Sequence, residues 1–435
     1  LCIKKSLPNP MPTHDLLIHS TTPTGSSQSL AVTDGTITEV SPHLTGSAKE
    51  EIDATSQILI PSWIDSHVHF NQPGRADWEG LHSGSLALAA GGGAAFFDMP
   101  LNSSPPVTDG ETFELKKAIA LDKSHLDFAL WGGLVPESLP HLTDMAQAGA
   151  IGFKAFMCHS GLDEYPAADR ATLQEGMRIA ASLDLPVAVH AEIPHGPAPT
   201  GTTMQAWLDS RPITFETDAI SLALELAAET ACALHIVHVT CPEGIDLVTK
   251  AKKAGVNVTV ETCPHYLLLD HNQANRIGPL AKCAPPLRPS ETVTALWECL
   301  LRDEIDTIGS DHSPSSPELK SGEDIFAMWG GIAGIQHGFP LLLDRSYDLL
   351  PQTSSKVAER FRLPKKGRLA SGYDADFTLL KKTPATAIAD EQLTRHPHSP
   401  YVGLPLAHRV VATYLRGELV TSETRSRFLR PMTLS

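Results

Sequence analysis

No C-x-x-C pair occurs in the sequence, although it holds seven cysteines: Cys2, Cys158, Cys232, Cys241, Cys263, Cys283 and Cys299. An odd, scattered set in a long chain argues against a disulfide framework and for a reducing, cytoplasmic compartment. No run approaches the roughly 20 apolar residues of a membrane span. No G-x-G-x-x-G or P-loop follows a strand-like segment, which disfavours a nucleotide-binding open sheet. Positive charge is scarce: 34 Lys+Arg stand against 50 Asp+Glu, a net charge of −16. Neither nucleic acid nor an anionic membrane is therefore an expected partner. The opening Leu1-Cys2-Ile3-Lys4-Lys5 has too few apolar residues for a signal peptide. Met11 begins a more natural start, so residues 1–10 are expected to be an upstream extension without function.

What the chain does have is a core. It has 435 residues, 42% of them hydrophobic, enough for one large domain and a smaller satellite. From Asp15 to about Ile60, short apolar bursts cut by Gly, Thr, Ser and Asp read as strands, with a hairpin turn at Asp34-Gly35. The same style returns in GRLASGYDADFTLL and RVVATYLRGELV, with a turn at Arg416-Gly417. Neither piece buries its apolar face alone, so the two ends are expected to form one β-sandwich domain, residues 11–60 with 365–435. Between them lie eight short apolar segments, each followed by a polar or turn residue and alternating with helical stretches. Over residues 61–364 this pattern predicts a (β/α)₈ barrel of the TIM type.

The segment Ile64–Gly80, IDSHVHFNQPGRADWEG, organises the rest. His67 and His69 are two residues apart on a predicted strand, so both imidazoles face one point. An isolated H-x-H is more often packed or exposed than ligating. Its company changes the weight: Asp98 ends the second segment, Lys154 lies in the fourth, and His190 ends the fifth. His235 and His238 belong to the sixth, Glu261 and His265 to the seventh, and Asp311 and His312 to the eighth. Barrel active sites gather at the C-terminal ends of strands. Asp311 viewed singly reads equally well as a cap, and Glu261 and His235 as supporting residues. Lys154 in an apolar strand needs a partner or a changed chemical state, because a buried, unpaired ammonium is costly.

Four histidines, a lysine and an aspartate so arranged resemble the amidohydrolase superfamily. The phrases HVHFNQPGR, DMPLNS, GFKAFM, HAE, HIVHV, ETCPHYL, KCAPPLR, SDHSP and WGGIAGIQ resemble the allantoinase family within it, from about Asp15 to about Val420. The resemblance implies two divalent metal ions per chain: one on His67, His69 and Asp311, the other on His190 and His238. Lys154, as N6-carboxylysine formed with carbon dioxide, would bridge them. Zinc is the expected metal, with manganese, cobalt, nickel and iron also suited to these donors. Asp311 would be the general base for a metal-bridging hydroxide, and Asn71, Asn102, Ala284 and Gly330 would contact substrate. The implied reaction is the hydrolytic opening of allantoin to allantoate in purine breakdown, by a homotetramer acting on a small cyclic ureide. A hydantoinase- or dihydropyrimidinase-like cyclic amidase is the alternative, and a non-catalytic scaffold of this fold a third. Dihydroorotases carry Arg at the position of Asn71; hydantoinases carry Tyr at that of His159. Gln72 and Ser315 also depart from the family pattern, and the stretch from Leu343 to Pro364 is short for the last barrel helices.

Overall fold

The structure, a computed structural model, describes residues 13–196 and 199–432. Residues 1–10, expected to be an extension, lie outside them. The first strands are β1 (His14–Thr21), β2 (Ser27–Thr33), β3 (Thr36–Ser41) and β4 (Ala48–Pro61). Asp34 and Gly35 turn β2 into β3 with φ of 51° and 72°, the paired positive values that a two-residue hairpin loop requires.

The barrel strands are β5 (Trp63–Val68), β6 (Gly93–Asp98), β7 (Asp127–Leu130), β8 (Gly132–Gly133), β9 (Phe153–Phe156), β10 (Val187–His190), β11 (Leu234–Ile236), β12 (Val258–Thr262) and β13 (Thr307–Ile308). Here β7 and β8 are one barrel position in two pieces, so the count is eight. The break falls at Trp131, whose Nε1 donates to the Ser66 carbonyl oxygen at 3.2 Å. All neighbouring pairs are parallel. The ring closes between its first and last members: Trp63 Nε1 donates to Ile308 O at 3.3 Å, and Val68 bridges His312.

Helices cover the outside. The helix Arg170–Ser182 is representative: Asp169 caps it by accepting from Thr172 N at 2.8 Å, and Leu173, Gly176, Met177 and Ala180 bury one face. No helix among the described residues is long and apolar enough to cross a membrane.

The chain returns through β14 (Phe377–Ala387), β15 (Pro405–Leu415) and β16 (Glu418–Leu419). The β domain expected from the two chain ends is one continuous seven-stranded sheet, ordered β16-β15-β14-β4-β1-β2-β3. Its core is Leu16, Ile18, Leu30, Val32, Leu59, Phe377 and Tyr414 among others.

The stretch after Leu343, short for the last barrel helices, stops the lower end of the barrel. Its helix Ser355–Arg360 sends Phe361 inward, with ring centroids 5.0 Å from Phe97 and 5.4 Å from Trp131. Arg360 Nη2 donates to Leu234 O at 2.6 Å, at the start of β11.

Candidate active site

The upper ends of the strands bring the predicted residues together. His67 lies in β5 and His69 just past it; their Nε2 atoms are 3.2 and 3.3 Å from Asp311 Oδ1. His190 ends β10, and its Nδ1 is 3.0 Å from His238 Nε2. The His67 and His238 rings join the two pairs, with centroids 5.5 Å apart. Lys154, in β9, is fully buried below this floor. Among the described residues its Nζ meets only the Ala155 carbonyl oxygen at 3.3 Å and the Phe156 ring at 3.7 Å, and no carboxylate within ion-pair distance.

Several of these residues sit in strained backbone. His238, Asp311, Asn71 and Asn102 have φ of 44°, 45°, 63° and 66°. Non-glycine residues adopt the left-handed region at a cost, and such residues cluster where side chains must be aimed.

Supporting contacts fix the ring orientations. His67 Nδ1 is 2.8 Å from Glu261 Oε1, which leaves Nε2 for the site. Glu261 also accepts from Ser66 Oγ at 2.6 Å. Gly309 is needed for this approach: a Cβ there would lie 2.7 Å from Glu261 Oε2 and 2.8 Å from His67 Cβ. His190 Nε2 is 2.8 Å from Glu192 Oε2, and Glu192 is held by Arg211 at 2.5 and 3.0 Å. The Glu192–Arg211 pair escaped the sequence reading. The H-x-E spacing at 190–192 is its one local signal; Arg211 reaches it from another segment.

Burial and charge set the protonation states. Burial works to raise the Asp311 pKa, but His67 and His69 overcome it and hold the carboxyl well below its usual range. Burial lowers the Lys154 pKa to about 7, only partly opposed by Asp311. His190 falls to about 4 through burial, opposed by Glu192. Burial also depresses His238, with the His190 charge adding to it.

Above this floor is a cavity of about 410 Å³, lined by His67, His69, Asn102, His159, His190, His238, Ala284, Asp311 and Gly330 with several aromatic residues. Asn102 donates from Nδ2 to Ser313 Oγ at 3.1 Å. Asn71, expected to meet substrate through its amide, is fully buried outside the cavity lining; its Nδ2 donates to Pro314 O at 3.2 Å, and its Oδ1 has no hydrogen-bond partner among the described residues. Its left-handed backbone turns the side chain into the wall. His159 stands exposed on the rim, 3.3 Å from Asp163. Another hollow of about 430 Å³, between the helix Leu81–Ala90 and β15, has no converging metal-ligand group among the described residues.

The donors fit divalent metal ions. The ligand atoms of His67, His69 and Asp311 lie within 4.8 Å of one another. His69 Nδ1 and His238 Nδ1 are buried without a hydrogen-bond partner. Imidazole nitrogens beside a carboxylate oxygen are donors of the kind such an ion takes. Another acidic group, Asp127, Asp374 and Asp376, is filled by the Lys366 ammonium at 2.7–2.9 Å.

Comparison with known proteins agrees with this geometry. The amidohydrolase family profile matches residues 58–420. The chain is 48% identical to an allantoinase of Rubrobacter xylanophilus, covering 92% of this chain and 94% of that one. It is 43% identical to an allantoinase of Deinococcus radiodurans, covering 97% and 99%. Among solved structures, an L-hydantoinase (dihydropyrimidinase) from Arthrobacter aurescens superposes with a TM-score of 0.89 at 30% identity, covering 96% of this chain and 100% of that one. With the strand-end ligand set and a match that runs the length of the barrel, the chain belongs to the amidohydrolase family.

Proposed function

We propose that the chain is an allantoinase, a hydrolase that opens the cyclic amide of allantoin to give allantoate in purine breakdown. The observation that carries this reading is the 43–48% identity to allantoinases over more than nine-tenths of the chain. The His67–His69–Asp311 grouping at the cavity floor agrees with it. Residues 61–364 are assigned as the catalytic barrel, with 11–60 and 365–435 as the flanking β domain.

His67, His69 and Asp311 are assigned to one divalent ion and His190 and His238 to the other, with zinc the expected metal. When bound, such a pair acidifies water and polarises the scissile carbonyl. Lys154 is assigned as a carbamate, which would supply an anionic oxygen ligand to the ions. Its depressed pKa leaves a substantial neutral fraction near pH 7, and the free amine adds to carbon dioxide with loss of a proton. The product replaces an unpaired buried cation with an anionic oxygen ligand. Asp311, kept ionised by His67 and His69, accepts the proton of the attacking water and returns it to the departing ring nitrogen. Asn102 and the backbone of Ala284 and Gly330 are assigned to hold the ring; all three line the cavity. Asn71 is assigned to meet the substrate through its Oδ1, which is buried and has no partner among the described residues. The six described cysteines are free and buried, which supports a cytoplasmic setting, and a homotetramer is part of the same reading.

The test is hydrolysis of allantoin, hydantoin, dihydrouracil and dihydroorotate on one metal-loaded preparation. Allantoin is expected to give the highest kcat/KM. A preference for dihydroorotate or dihydrouracil overturns the assignment, and activity on hydantoin without allantoin transfers it to the hydantoinases.

A further inference from the structure

One wall of the cavity has no role in the reaction as described. It is built around Lys282, two residues before Ala284 in the same segment. Its stem runs beside Gly330, where an added Cβ would lie 3.8 Å from Lys282 Cε. The residue thus stands next to both backbone groups assigned to the ring. Its ammonium donates to the Met328 carbonyl oxygen and, at 3.4 Å, to that of Phe326. It also lies 4.3 Å from the centroid of the Trp207 ring. Trp207 is itself fixed: Nε1 donates to Cys283 O at 3.0 Å, and the ring meets Phe326 edge-on at 5.5 Å. Lys282, Trp207, Phe326 and Met328 all face the cavity.

The other cation of this wall, Arg211, is closed on Glu192. Among the described residues Lys282 has no carboxylate within ion-pair distance; its partners are neutral oxygens and a π face. An ammonium carries three donors and no acceptor. Two are satisfied by backbone, and the third remains for a ligand oxygen. Burial lowers its pKa to about 8, with the Arg211 charge adding to it and Asp324 opposing, so the ammonium form is retained near neutrality. Allantoin differs from hydantoin by a ureido arm on the ring, and the strongest acceptor of that arm is its carbonyl oxygen.

We propose that Lys282 is a specificity-determining residue that reads the ring substituent by donating to its carbonyl oxygen, beside Trp207 and Phe326. The proposal rests on the allantoinase reading. The test compares kcat/KM for allantoin and for hydantoin on metal-loaded wild type, Lys282→Met and Lys282→Arg. In Lys282→Met the allantoin-to-hydantoin ratio is expected to fall about tenfold to a hundredfold, mainly through KM, as for loss of a charged hydrogen bond. Lys282→Arg, which restores a donor, should keep most of the ratio. An equal loss on both substrates would mean that Lys282 merely tethers the Met328 segment, and overturns the proposal. Should Lys282→Met fail to fold, wild type is tested on 5-propylhydantoin, whose arm lacks the carbonyl. Its kcat/KM is expected near that of hydantoin; a value equal to that of allantoin overturns the proposal. Wild type that hydrolyses hydantoin but not allantoin overturns the functional reading itself, a failure visible without any variant.

Discussion

At the scale of single residues, Asp311 carries two demands, since it is assigned both to hold a metal and to move a proton. Asp311→Asn keeps an oxygen ligand and the side-chain volume but removes the base. A fall in kcat of about 10²–10⁴ is expected with an unchanged circular dichroism spectrum. Near-normal kcat at full metal content would move the base elsewhere, with His159 on the rim the next candidate. Lys154→Ala should abolish activity, with partial recovery on adding short carboxylic acids that stand in for the carbamate; two bound ions per wild-type chain should be found by elemental analysis. His67 and His69 were legible because a two-residue spacing on a strand fixes a shared direction. Asn71 marks the limit of such a reading: pattern gives position along the chain, but a φ of 63° decides which way the side chain turns. Arg211, Trp207 and Lys282 were not legible as part of the site. Their partners are Glu192 from another segment, or backbone carbonyls that any residue supplies.

At the scale of elements, the site depends on how closely β5, β12 and the segment after β13 approach one another. Gly309 is the spacer, because a methyl group there would meet Glu261 and His67 together. Gly309→Ala should leave the barrel folded but push the His67 ring off its bearing. A loss of about a hundredfold in kcat, with lowered metal content, is the expected result. Wild-type activity and metal content in that variant would show that the Glu261–His67 contact is free to shift. The eight strands were readable from apolar runs ending in polar residues, and the turns at Asp34-Gly35 and Arg416-Gly417 from their dipeptides. The split at Trp131 and the stopper at Phe361 were not. Both depend on what fills the inside of the barrel, and a linear pattern does not encode a cavity's shape.

At the scale of the whole molecule, barrel and β sheet are joined at the lower end by a buried ionic cluster. Lys366 reaches Asp127 at the start of β7, and Asp374 and Asp376 before β14, while Arg416 adds a second contact to Asp127. Lys366→Met leaves these carboxylates facing one another without their common cation. A loss of about 3–5 kcal/mol in urea unfolding at pH 7 is expected. Burial already raises the Asp376 pKa, with Asp127 adding to it against the pull of Lys366. Without Lys366 these acids protonate more readily in the folded state than in the unfolded chain. The deficit should therefore shrink as pH falls toward 5; a deficit that does not change with pH would assign the loss to packing instead. The order of the sheet also bears on how the molecule is made. Strand β4 lies between β1 and β14, and its partner residues Pro61 and Phe377 are separated by about 300 residues of chain. At ribosomal rates of about 5–20 residues per second, the first hairpins wait roughly 15–60 s for the strand that completes them. During that interval β4 offers an open edge to any neighbouring chain, while the barrel between them is still emerging. Mispairing during synthesis is thus concentrated at β4, and this sheet becomes native only after the barrel between its two halves has been made.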